Sequence, residues 1–431
     1  MRDTIGRRMT FSRSFHYGWI VAAVTFLALM TGAGVRSAPG ILIVPLEEEF
    51  SWSRGTISFA VAVNLLLYGL MGPFAAAVME RYGMRRTVPL ALALIGISVA
   101  LTAVMREPWQ MVLLWGVIVG IGTGALANML AAVVATRWFT ARRGLVIGTL
   151  SGSVATGQLL FLPTFAAVTA DYGWRATVIG MAVVVFAVLP VVAYFMRDQP
   201  ADVGLAPYGE SGAPKPLPAA QGNPIRNAFV TLREVAQTRD FWLLAGTFFI
   251  CGASTNGLIG THLIPACLDN GISAVTGAGL LAAMGIFNLI GTTGSGWLSD
   301  RFDNRILLAI YYALRGISLI YLPFSFASLY GLSLFTVFYG LDWFATVAPT
   351  VRLISTTFGK ERTGIVYGWI FVAHQIGSAA AAYLGGVLRE SFGTYLESFI
   401  LSGLLCLVAA VLAMFIGRER KQRAATAVPA A

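Results

Sequence analysis

AVMERYGMRR, residues 77–86, returns in altered form as GWLSDRFDNR, residues 296–305. In both segments an acid–base pair, Glu80-Arg81 or Asp300-Arg301, closes a long apolar run and further bases follow. The two pairs lie 220 positions apart. Two other features keep nearly that offset. Phe139 in WFTARRGLVIG (138–148) and Phe358 in TFGKERTGIVYG (357–368) are 219 apart, and Trp19 and Trp242 are 223 apart. A steady offset at three separate places indicates an internal duplication. Parallel repeats of apolar helices predict two bundles that rock about a site between them, near the middle of a membrane.

Composition places these repeats in a bilayer. Of 431 residues 57% are hydrophobic and only 12% charged, about half the charged share of a soluble domain, and the mean hydropathy is +0.74. Runs such as 20–30, 90–104 and 177–196 recur throughout, and about 20 apolar residues suffice to cross the hydrocarbon core. The net charge of +10 does not point to nucleic acid, because the bases cluster in short loops without interleaved aromatics. Cys251, Cys267 and Cys406 lie far apart within apolar runs, which suits small buried side chains and neither disulfides nor a metal site. The basic N-terminus leads into an apolar segment too long for a secretory leader, so it reads as a retained first span.

Twelve spans are predicted, near 18–45, 57–79, 88–105, 109–136, 144–170 and 174–196, then 241–268, 275–298, 305–325, 328–358, 363–388 and 395–416. The expected fold class is an all-α membrane protein of two six-helix bundles, 18–196 and 241–416. A short segment (1–17) precedes them, a tail (417–431) follows, and a polar, proline-rich linker (197–240) joins them. Twenty-three of the 30 Lys and Arg fall on the side of the termini, and only Arg54, Arg106, Arg175 and Arg389 on the other. The positive-inside rule therefore predicts cytoplasmic termini.

MERYGMRR and LSDRFDNR resemble the loop 2–3 signature of the major facilitator superfamily, the second copy more loosely because Asp303 stands where the first has Gly83. FTARRGLVIGTLSGSVATG (139–157) is similar to the fifth-helix signature of monocarboxylate transporters, matching at Phe139, Arg142, Arg143, Leu145, Gly148 and Gly157. YGWIVA (17–22) and EEEFSWSRGTIS (47–58) resemble the start of the first helix and the entrance to the second in bacterial members. The resemblance covers nearly the whole chain. It implies a multi-pass protein of the bacterial inner membrane. Monocarboxylate transporters commonly carry an acid in the eighth helix, often with an Arg one turn later. Here those positions are Asn288 and Thr292, which hydrogen-bond but carry no proton.

Polar groups inside spans are costly and by default mark function. In the family's geometry the first, fourth, seventh and tenth helices line the cavity, and here they carry Arg36, Asn128, Asn256, His262 and Asp342. Arg36 is the candidate for holding a carboxylate, since its planar fork stays charged and donates two hydrogen bonds. Asn128, Asn256, Asn288, His262 and His374 are expected to orient the substrate. Asp342 has two readings: an ion pair with Arg315 of the ninth helix, or a protonatable cavity carboxylate that couples transport to protons. Glu80, Arg81, Arg85, Arg142, Arg143, Asp300 and Arg301 are expected to gate the side of the termini by changing partners between helix ends.

GVIVGIGTGAL (116–126) mimics a dinucleotide loop, but Gly116, Gly120 and Gly124 share one helix face, which is close helix packing. There is no Walker loop and no catalytic or metal-ligand constellation, so neither an enzyme nor a cofactor is expected. The expectation is a secondary active or facilitative transporter of small organic anions, monocarboxylate-like, working by alternating access, with Asp342 the candidate for proton coupling if transport is symport. Its partners would be the anion, protons and the lipid bilayer. The alternative is a proton-driven efflux antiporter for amphipathic compounds.

Overall fold

The computed structural model describes residues 16–126, 128–210, 224–359 and 362–417. The expected N-terminal segment and C-terminal tail lie almost wholly outside these residues, as does 211–223 of the linker. Eleven helices are long and apolar enough to cross a membrane. The longest, Arg143–Phe195, is two crossings joined at Gly173, whose φ of 81° breaks the helix. The described residues therefore hold twelve spans: α1 (Gly18–Phe50), α2 (Arg54–Tyr82), α3 (Met84–Thr102), α4 (Pro108–Trp138), α5 (143–172) and α6 (174–195) in one half. The other half holds α7 (Arg239–Asp269), α8 (Ala274–Ser299), α9 (Asn304–Ser325), α10 (Leu329–Phe358), α11 (Thr363–Phe392) and α12 (Leu396–Ala413). An even number of crossings leaves the start of α1 and the end of α12 on one side, the termini side.

The duplication is visible in the helix caps. Ser53 caps α2 by accepting the Thr56 N–H, and Ser273, 220 positions on, caps α8 by accepting that of Thr276. The start of the following helix differs instructively. Gly83 adopts φ 82°, and the Arg85 N–H is taken by the Asp198 carboxylate from beyond α6, at 2.8 Å. In the second copy Asp303 replaces the glycine and itself accepts the Arg305 N–H at 3.0 Å. Both copies thus place a carboxylate at the N-terminus of the third helix, where orphan donors and the helix dipole favour it.

Four spans are interrupted, and they are the first of each three-helix unit. α1 breaks at Ala38, between Gly18–Ser37 and Pro39–Phe50, where Pro39 has no N–H to continue the ladder. α4 carries a π-helical stretch over Val112–Val119 and ends its upper part at Ala125. α7 is π-helical over Ala253–Ile259. α10 stops at Asp342 and resumes at Val347. Irregular backbone inside a bilayer persists only where protein or a water-filled cavity surrounds it, so these four breaks mark the interior of the molecule.

The halves meet through α2 against α11 and α5 against α8. On the side away from the termini the contact is close. An added Cβ on Gly40 of α1 would lie 2.9 Å from the Thr261 carbonyl of α7, and one on Gly386 of α11 would clash with Ser58 of α2. On the termini side Gly148 and Gly152 of α5 and Gly364 and Gly368 of α11 face open space, with nothing within 4 Å of an added Cβ. The molecule is closed on one side and open towards its termini.

Candidate functional site

The break in α1 leaves Arg36 in the last turn of Gly18–Ser37, where its charge complements the helix C-terminus. Its guanidinium lies over the Tyr68 ring of α2, 4.8 Å from the centroid. Among the described residues no carboxylate comes within 4 Å of it. Around it, a cavity of about 400 Å³ is lined by Tyr68, Gln158, Asn256, Asn288, His374 and Gln375. Asn256 is presented by the π-helical stretch of α7, and π-bulges frequently occur at such sites. Gln158 of α5 donates to Ser37 Oγ at 3.1 Å, beside Arg36.

Asn288 does a job that composition alone does not suggest. Its Oδ1 accepts the Phe344 N–H at 3.1 Å and the Thr292 hydroxyl at 2.9 Å. Phe344 lies in the gap of α10, where the helix can no longer supply an acceptor. The amide therefore holds the broken helix open while lining the cavity.

His374 is 1% exposed and sits against Phe248 and Phe371, with ring centroids at 4.9 and 5.6 Å. Among the described residues neither of its ring nitrogens has a partner, and neither does the amide of the equally buried Gln375. Tyr68, Phe371, His374, Phe248 and Tyr367 form one continuous row of rings along this wall.

Arg36, Asn256, Asn288 and His374 therefore come together around one cavity, whereas His262 and Asp342 stand apart from this group. His262 is fully buried near the closed end; one ring nitrogen contacts the Ala382 carbonyl at 2.7 Å and the other the Tyr395 hydroxyl at 3.2 Å. A carbonyl accepts only, so Nε2 carries the proton and Nδ1 accepts from Tyr395. Both nitrogens are spent on holding α7, α11 and α12 together. Asp342 Oδ2 accepts from Arg315 Nε at 2.6 Å, while Arg315 also donates to the Asp342 carbonyl at 2.6 Å and to Cys251 Sγ at 2.8 Å. This pair ties α7, α9 and α10 within one half. Asp342 borders a groove between α9 and α10 rather than the central cavity. The side chain of Asn128 lies outside the described residues.

On the closed side, Arg54 of α2 grips both carboxylate oxygens of Asp269 of α7, at 2.8 and 2.9 Å. Arg389 of α11 donates to Asp269 at 2.7 Å and Glu47 of α1 accepts from Arg54 at 2.7 Å. In the sequence Arg54 and Arg389 figure only as bases that help set the topology. The signal available was four lone bases on an otherwise base-poor side, two of them here.

On the open side the gating candidates stay within their own halves. Arg81 lies over Tyr82 and Arg301 over Trp297. Arg143 donates to the Phe139 carbonyl, and Asp300 lies 4.0 Å from Arg352. Arg142 precedes α5 in a left-handed conformation, φ 59°, and Arg85 is held by its backbone to Asp198. The side chain of Glu80 lies outside the described residues. Tyr208 of the linker pairs with Trp138–Ala141 as a short parallel bridge. Past the undescribed stretch, the linker helix (Pro224–Val235) attaches to α11, with Trp369 donating to the Ala228 carbonyl and Arg362 pairing with Glu234.

The sequence profile described as Major Facilitator Superfamily matches residues 22–382 and 269–430. An uncharacterized MFS-type transporter, YcxA of Bacillus subtilis (strain 168), is 26% identical over 408 residues, 93% of this chain and 92% of the relative. Monocarboxylate transporter 12-B of Danio rerio is 22% identical, with 96% and 91% covered, and monocarboxylate transporter 11 of Homo sapiens is 26% identical, with 94% and 83% covered. Among solved structures, a bacterial homolog of the human lysosomal transporter Spinster, inward-facing and occupied, superposes with a TM-score of 0.72 at 16% identity, covering 94% of this chain and 98% of that one. A D-xylose-proton symporter gives 0.70 at 15% identity, covering 94% and 99%. At such identities the superpositions establish the shared fold.

Proposed function

The chain belongs to the Major Facilitator Superfamily, and on that premise we propose that it is a secondary transporter of small organic anions, monocarboxylate-like, working by alternating access. One observation carries this reading: Arg36 lies on the central cavity with an aromatic ring beneath it and, among the described residues, no acid beside it. A charge held in a membrane interior without a counter-ion is expensive. A substrate carboxylate supplies the missing partner, and the guanidinium fork matches it. Asn256, Asn288 and Gln158 supply neutral hydrogen bonds around that point. The names of the monocarboxylate transporters among the relatives support the same substrate class.

Alternating access is supported by the asymmetry of the two sides. Arg54 and Asp269 lock the far side by an ion pair between the halves, with Arg389 bracing Asp269 from within its own half, while the gating candidates described on the termini side contact their own halves. Opening the far side would require the Arg54–Asp269 pair to break. The gate on the termini side would then close over Arg81, Arg85, Arg142, Arg143, Asp300 and Arg301. With the termini in the cytoplasm of a bacterium, as the distribution of bases favours, the present state faces inward.

We read Asp342 as the structural half of its pair with Arg315. Both residues move with the same half, and the charges neutralise each other away from the cavity. Symport through this carboxylate would require the pair to part in each cycle. The aromatic wall would also suit the amphipathic compounds of the efflux reading, but an unpaired cation in the cavity repels the cationic ones.

The test is uptake of a labelled monocarboxylate panel into proteoliposomes, with and without an inward proton gradient and with hydrophobic cations as competitors. Saturable anion uptake that resists the cations is expected. Transport of the hydrophobic cations, with no anion flux in folded protein, would overturn the reading in favour of efflux.

A further inference from the structure

Resting on the anion-transport reading above, we propose that the substrate is an aryl monocarboxylate carrying a neutral hydroxyl or amide at the end remote from the carboxylate. The inference starts from His374 and Gln375. Both are 1% exposed and both line the central cavity. Among the described residues, all four of their side-chain nitrogen and oxygen atoms lack a protein partner. Buried polar atoms in folded proteins are nearly always paired, so four adjacent exceptions on two residues that line one cavity indicate a polar group that arrives from outside. Between them the two side chains offer donors and acceptors. They can therefore satisfy a hydroxyl, which needs both, better than a purely apolar ligand.

The material between the two ends is set by the wall. From Arg36 the surface runs to Tyr68 at 4.8 Å, to Phe371 at a further 6.4 Å and to His374 at a further 5.6 Å. Phe248 and Tyr367 continue it, with centroids 6.0 Å apart. Rings pack edge-to-face or offset against other rings, so this row favours a flat aromatic body over a short aliphatic one. The volume of about 400 Å³ lies within the usual range for sites that enclose a small molecule, about 300–1,000 Å³, and exceeds what a three-carbon acid fills. Charge sets the last property. Among the described residues Arg36 is the only cationic side chain lining this cavity, so one carboxylate is matched and a second would be buried without a partner.

The experiment is calorimetric binding to the full chain in nanodiscs, using para-hydroxyphenylpropanoate, phenylpropanoate, lactate and the uncharged para-hydroxyphenylpropanol. The hydroxylated acid is expected to bind about tenfold more tightly than phenylpropanoate, the worth of one well-made hydrogen bond. Lactate should bind more weakly than either, and the alcohol should not bind. His374→Phe and Gln375→Met, which keep the bulk and remove the polar atoms, should erase the preference for the hydroxylated acid over phenylpropanoate. The comparison among ligands in the unaltered chain stands even if a variant fails to fold. Equal affinity for the two aryl acids, or tighter binding of lactate, would overturn this inference and leave the anion reading intact. Binding of the alcohol as tightly as the acids, or no binding of any acid, would overturn both.

Discussion

Arg54 and Asp269, 215 positions apart, form a two-pronged ion pair that joins the halves of the molecule on its closed side. The pair is sheltered, with Arg54 7% exposed, and Arg389 adds a second bond to the same carboxylate. It is therefore worth more than a typical surface bridge, for which about 0–1 kcal/mol is usual. Bonds of this charge-assisted kind contribute about 1.5–3 kcal/mol each.

Arg54→Gln should shift the population towards opening on the far side. A loss of about 2 kcal/mol corresponds to a change of roughly 30-fold in the ratio of the two states. Spin labels at positions 48 and 270, exposed on either side of the seam, would report it as a longer distance component in pulsed dipolar spectra. An unchanged distribution would show that helix packing, and not the ion pair, holds this side shut.

Arg36→Ala should weaken anion uptake by about 30- to 150-fold, the loss of a charge-assisted pair of about 2–3 kcal/mol. Arg36→Lys, which keeps the charge and loses the fork, should fall between. Initial rates in proteoliposomes against substrate concentration measure both. Uptake unaffected by either change would remove Arg36 from the site.

Asp342→Asn should destabilise the protein by about 3–5 kcal/mol, because it leaves Arg315 charged and unpaired in the interior. Replacing both residues with apolar ones of similar volume should recover most of that loss. Thermal unfolding in detergent gives the comparison. If Asp342→Asn instead folds normally, keeps exchange and loses only its response to a proton gradient, Asp342 is the proton carrier.

Asn288→Asp keeps an acceptor for the Phe344 N–H and adds a titratable acid on the cavity. It should fold normally and gain stimulation by an inward proton gradient. Asn288→Leu should cost about 1–3 kcal/mol by stranding that N–H in the gap of α10. Flux with and without the gradient, set beside thermal stability, separates the two effects.

The path from sequence to site was partly direct. Arg36 and Asn256 stand out because a polar group in an apolar run is conspicuous and the family's geometry says which spans line the cavity, and Asn288 because it holds the position of the acid in monocarboxylate transporters. His374 stands out as a polar group in an apolar run, although nothing in the sequence tells that its ring nitrogens and the amide of its neighbour Gln375 lack partners among the described residues. Tyr68 and the row of rings beyond it were not separable from the many aromatics that pack helices or face lipid. His262 and Asp342 share the cavity-lining helices yet stand apart from the cavity, because a helix has several faces and apolar composition on all sides hides which one turns inward.

The sequence by itself determined the twelve spans, their duplication and the excess of bases on one side. These depend on the length of apolar runs, on spacing along the chain and on charge, all of which are local properties of the polymer. Tertiary structure alone decided that Arg54 meets Asp269, that Arg315 takes Asp342, that Asn288 supports the break in α10 and that the far side is the one closed. Each of these depends on the rotation and mutual approach of helices distant in sequence. Those are set by small residues at helix crossings, such as Gly40 against Thr261 and Gly386 against Ser58, whose effect appears only when both surfaces are present.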